Sequence, residues 1–148
     1  MMSAMREPTM ANNRLRSTLL ALVLVTSAAA HADETPEQRM ARRFPQPVKV
    51  GDLIGLPVYD DNQSTLGHVR EVVRTPAGKI QLIVSYSPWF GWWRRPVAVP
   101  IEAVGIFGRQ IAALGMSRQE FAQAPTWSDA GAEPIPSTGT IRIGLTRH

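Results

Sequence analysis

The stretch KIQLIVSYSPWFGWWRRPVAVPI, residues 79–101, contains two strand patterns and the segment that joins them. Ile80, Leu82, Val84 and Tyr86 fall on every second position, while Lys79, Gln81 and Ser85 take the opposite phase. A period of two puts the first set on one face of a half-buried strand. Val97, Val99 and Ile101 repeat the device. Pro100 has no amide to donate to a ladder, so this second strand must end there or lie at a sheet edge. Between the strands, residues 87–96 are broken by Pro88 and Gly91 and carry Trp89, Phe90, Trp92, Trp93, Arg94 and Arg95.

The same punctuation continues in both directions. From Pro47, short apolar runs are interrupted by turn residues about every ten positions, as in a small all-β sandwich or barrel. DLIGLPVYD (52–60) reads as a strand pair or a strand bent around Gly55 and Pro57. DDNQ (60–63) and TPAG (75–78) are turns, because Asp and Asn cap local backbone and Pro and Gly supply turn geometry. STLGHVREVVR (64–74) is a strand, and VGIFGRQIAAL (104–114) a hairpin turning at Gly108 and Arg109. One short helix follows. Ser117 and Glu120 form a capping box, and Met116 and Phe121 form a hydrophobic staple around it. Pro125 ends it after about two turns. Residues 128–139 read as a loop and TIRIGL (140–145) as a candidate last strand, whereas residues 33–46, with mixed charge and little apolar periodicity, read as a solvated arm.

The first 32 residues form a separate unit of sequence. Arg14 and Arg16 precede an uncharged run from Leu19 to Ala30, and Ala30-His31-Ala32 follows. A basic start, an apolar middle and an A-x-A site mark a secretory signal peptide. The run is about a dozen residues, short of the roughly 20 that a spanning helix needs. Cleavage after Ala32 and a periplasmic or secreted product are expected. Its removal takes three arginines and one glutamate, so the net charge falls from +4 to +2. Nucleic acid is therefore not an expected partner. The absence of cysteine excludes thiol redox chemistry, cysteine metal sites and disulfides.

The order of these pieces resembles the PRC-barrel domain, a family named for the C-terminal domain of the photosynthetic reaction-centre H subunit. The resemblance covers roughly residues 47–127 and rests on Leu53-Ile54-Gly55, Pro57-Val58-Tyr59, Gly67 with Val69, Gly78, and Val97-Ala98-Val99-Pro100. It implies a small antiparallel β-barrel, here with one short C-terminal helix, serving as a protein-interaction or assembly module with no shared catalytic residues. Many members carry glycine and small apolar residues before V-A-V-P; here that loop carries Trp89, Phe90, Trp92 and Trp93.

Motifs for chemistry are sparse. After cleavage the histidines are His68 and His148, neither in H-x₃-H spacing nor beside a G-x-S-x-G turn. Asp60, Asn62, Ser64 and Glu71 sit at positions 1, 3, 5 and 12 of a calcium loop, but Thr65 replaces its glycine, and a hairpin turn wants the same residues. No catalytic, cofactor or metal residue is assigned. The aromatic-arginine loop has the composition of an interface hot spot, which points to a protein partner in the cell envelope. The same composition suits a pocket for a small molecule or lipid headgroup, or peripheral membrane contact. Aromatics folding back as a lid on the barrel are the structural alternative. N-terminal sequencing of protein recovered from the periplasm is expected to read from Asp33; a membrane-retained species keeping residues 14–30 would contradict the cleavage site.

Overall fold

The computed structural model describes residues 34–88 and 93–146. The cleavage site after Ala32, and Trp89, Phe90 and Trp92, lie outside the described residues. Along the chain come helix α1 (Pro36–Arg42), strand β1 (Gln46–Lys49), a single helical turn α2 (Val50–Leu53), and strands β2 (Pro57–Tyr59), β3 (Thr65–Arg74), β4 (Ile80–Tyr86) and β5 (Arg95–Pro100). A 3₁₀ turn over Ile101–Ala103 leads to β6 (Val104–Phe107) and β7 (Gln110–Ala113), then helix α3 (Arg118–Gln123), β8 (Glu133–Pro134) and β9 (Thr140–Leu145). Asp33–His148 makes one compact unit.

The strands form one sheet in the order β1-β9-β6-β7-β2-β3-β4-β5, with β8 added beside β3. β3, β4 and β5 are an antiparallel meander, with Val84 opposite both Val69 and Val97. The sheet is not purely antiparallel: β2 pairs β7 in parallel and β6 pairs β9 in parallel. The expected antiparallel barrel is corrected to a mixed and open one, because β1 and β5 remain edges. The cause is chain order. β6 and β7 turn back on themselves and present opposite directions to strands that arrive from distant parts of the sequence.

One face of the sheet wraps a single core. Leu82, Val84, Val97 and Val99 are fully buried in it, with Val58, Val104, Ile111 and Ile143 from the other strands. Ile80, at the strand start, is only half-buried. Gly67 on β3 has no room for a side chain beside β4; a Cβ there would stand 2.2 Å from the Ser85 carbonyl oxygen. Ile83, in the opposite phase from Leu82, is also at 0% exposure. The segment after α3 returns over that second face, where Trp127 and its neighbours share a cleft with Gln81 and Ala98, of the same phase as Ile83; the Trp127 amide donates to Pro96 O, and Ile135 N donates to Val72 O.

Three local expectations change. Residues 33–46 are not a solvated arm throughout, because α1 starts on a capping box in which Thr35 Oγ1 accepts from Gln38 N and Gln38 Oε1 accepts from Thr35 N. Pro36 at the first helical position needs no partner for its missing amide. The C-terminal helix is thus not the only one. The strand read at residues 52–60 begins instead as the α2 turn. Val50 N and Gly51 N donate to Gly139 O and Ser137 O, Leu53 is buried, and Gly55 at φ +82 turns the chain into β2. The loop read at 128–139 contains β8, which pairs Val73 with Pro134. The hairpin at Gly108, both polar turns and the last strand stand where the periodicity puts them.

Leu82→Ala empties a site with no solvent exposure. A loss of about 2–5 kcal/mol of folding free energy is expected in urea unfolding; a loss under about 1 kcal/mol would mean that the core collapses around the gap.

Candidate functional site

The aromatic loop grows from the ends of β4 and β5, and both of its stems are pinned. Tyr86, the last residue of β4, is 2% exposed, and its ring packs 5.7 Å from that of Phe121 at an interplanar angle of 41°. Ser87 N donates to Leu66 O on the β3 side. Arg95 opens β5 and turns inward, its guanidinium carbon 5.3 Å from the Tyr86 ring centre. Arg95 Nη2 donates to Phe121 O at 2.7 Å and Ala122 O at 2.8 Å, and Nη1 donates to Ala124 O. These are carbonyls at the end of α3, where no further helical amide can reach them. A guanidinium fork supplies several donors in one plane and carries charge of the sign that a helix C-terminus favours.

The other end of α3 is held as firmly. Ser117 Oγ accepts from Glu120 N at 3.3 Å, and Ser117 N donates to Glu120 Oε2 at 2.6 Å, completing the expected capping box. Phe121 is fully buried and Met116 packs against the core, as the staple requires. Arg118 Nε donates to Asp60 Oδ2 at 2.8 Å. Asp60 Oδ1 accepts from Asn62 N at 3.0 Å and Ser64 N at 2.8 Å. The segment that spaces like a calcium loop is therefore a turn closed on its own carboxylate. Burial acts to raise the Asp60 carboxyl, but the Ser64 amide, Arg118 and the Asn62 amide outweigh it and hold the pKa below the ordinary carboxylate value.

Trp93 is 82% exposed and Arg94 is exposed beside it. The two arginines, adjacent in sequence and read alike there, thus occupy different surroundings. Arg95 shares the inward phase of Val97 and Val99, a period-two signal already present in the sequence; Arg94 takes the outward phase. The buried acid at Asp60 had no such signal, because Asp60 and Asp61 look equivalent in a turn.

With strand order, the Gly67 approach and the helix closing the core in place, residues 48–117 match the PRC-barrel domain. This chain carries a PRC-barrel domain. No curated protein matches the chain. The match ends at the cap of α3, but the PRC-barrel core of this protein also takes Phe121, Ile141 and Ile143 from beyond it. The aromatic loop falls inside the matched region, between its β4 and β5.

Arg95→Ala strips three carbonyls of their charged donor and is expected to cost about 1–3 kcal/mol in thermal or urea unfolding. Arg94→Ala is expected to change stability by no more than about 0.5 kcal/mol; equal losses at both positions would contradict their different placement. A second expectation concerns acid. The folded pKa of Asp60 lies below its unfolded value. Its contribution is thus complete above the unfolded pKa, about 4, and is lost as pH falls through the lower folded value. Asp60→Asn should therefore be less stable than the parent at neutral pH, and that gap should narrow in urea titrations run toward strong acid.

Proposed function

We propose that this protein is an exported, non-catalytic PRC-barrel module that holds a protein partner in the cell envelope through its aromatic loop. The observation that carries the reading is the contrast at the root of that loop. Arg95 is spent inside on α3, while Trp93, at 82% exposure, and Arg94 stand outside. Trp89, Phe90 and Trp92 belong to the same ten-residue segment. Large apolar side chains next to arginine are the residue types that dominate binding energy at protein interfaces. A rigid root lowers the ordering cost of association, because the chain on either side of the loop is already fixed. Export is inferred from the N-terminal sequence pattern, with cleavage after Ala32.

Solvent around Trp93 favours docking over a closed pocket. Clefts elsewhere on the surface, such as one of about 520 Å³ beside Ile54 and Arg109, are lined by other residues. The test is a capture experiment from envelope extracts with the tagged processed chain, repeated with Trp93→Ala and Arg94→Ala. Loss of a specifically captured protein is expected, equivalent to roughly 2 kcal/mol or more of binding free energy for the tryptophan, with the melting temperature unchanged. A large fall in melting temperature at Trp93→Ala would move the loop from interface to core.

A further inference from the structure

A second surface lies at the opposite end of the barrel. β4 runs about 20 Å from Ile80, next to the Lys79–Glu37 ion pair that ties the strand to α1, to Tyr86 at the aromatic loop. At the α1 end the chain turns from α1 into β1 through Arg43 and Phe44. Phe44 has φ +50, a left-handed conformation that bulky side chains adopt only at a cost. Strain of this kind persists where surrounding contacts over-determine it. Here they do: Arg43 Nη1 donates to Glu102 O at 3.0 Å, and Arg142 Nη2 donates to Pro45 O at 2.8 Å. Yet burial does not repay the strain, because Phe44 is 65% exposed.

The surroundings of Phe44 are apolar and cationic together. It shares an open cleft of about 490 Å³ with Leu114, Leu145, Thr146, Arg42 and Arg43, and both leucines are also exposed, at 46% and 39%. Residues 34–49 carry four basic side chains and two acidic ones, and Arg142 adds a fifth cation. Of the acids, Glu34 pairs with Arg42 and Glu37 with Lys79. Burial, followed by the like charges of Arg39 and Arg42, holds the Arg43 guanidinium below its ordinary value, while Glu34 acts in the opposite sense.

We propose that the corner built by Phe44, Leu145, Arg42, Arg43 and Arg142 docks this protein on an anionic phospholipid surface. Phe44 and Leu145 would enter the acyl boundary, and the guanidinium groups would meet phosphates around them. A membrane suits the corner better than a bound acidic peptide, because exposed Phe44, Leu114 and Leu145 share one open cleft with Arg42 and Arg43, joining apolar surface to cations. The inference does not depend on the aromatic loop. It concerns the other end of the barrel.

The test is vesicle co-sedimentation of residues 33–148, the compact unit described above. Two vesicle types are used: phosphatidylethanolamine with phosphatidylglycerol, and neutral phosphatidylcholine. Binding to the anionic vesicles alone, falling as salt rises, is expected. Phe44→Gly removes the ring and relieves the left-handed strain together, so the melting temperature should hold or rise while vesicle partitioning falls about tenfold. Arg42→Gln and Arg142→Gln should each lower it about fivefold, and Trp93→Ala should leave it unchanged. Four outcomes would overturn the proposal: no pelleting, equal binding to neutral vesicles, indifference to Phe44→Gly, or a loss that follows Trp93→Ala instead. Retention of acidic peptides by the corner in place of vesicles would overturn it as well.

Discussion

The guanidinium of Arg95 joins the root of the aromatic loop to the helix that closes the core. It covers the Tyr86 ring and donates to three carbonyls at the end of α3. α3 has only six residues, too few to be stable alone, so its position depends on such anchors. Phe121 enters the core from this helix, and Asp60 holds its other end through Arg118. If the anchors at either end were lost, the plug over Tyr86 and the geometry of the loop stem would loosen together. Core closure and presentation of the loop are thus one piece of packing.

An open sheet leaves two edges, and this protein protects both with proline. The Pro96 carbonyl faces away from β4, since it accepts from the Trp127 amide. Residues of the same phase, Pro96, Ala98 and Pro100, therefore point their backbone outward, and two of the three have no N–H to offer. β1, the other edge, carries Pro47. An edge short of donors is a poor template for an incoming strand. Contacts beside β5 are then left to side chains, the exposed Trp93 and Arg94 among them.

The two surfaces inferred here differ in the physics they would use. The loop at the Tyr86 end sets tryptophan and arginine on fixed stems, suited to a partner that buries an aromatic anchor. The Phe44 corner combines a strained exposed ring with several cations, suited to a charged and deformable surface. They sit at opposite ends of β4.

Local pattern was enough for much of the fold. The alternation of Leu82, Val84, Val97 and Val99 needs only the period of a strand, and the Ser117 capping box and the Gly108 hairpin need only neighbouring residues. Even Arg95 was marked by its phase, and α1 by the Thr35–Gln38 box. Parallel pairing of β6 with β9 joins residues some forty positions apart, and no local period encodes direction. Ile83 is buried because residues 124–135 return over the outer face, a fact about chain path. Asp60 and Asp61 are alike as letters; only the approach of Arg118, 58 residues away, buries one and leaves the other in water. Sequence determined which residues prefer the core and where elements start. Tertiary structure decided strand direction, which charges are consumed inside and which remain outside, because those depend on contacts between segments that meet only when the chain has folded.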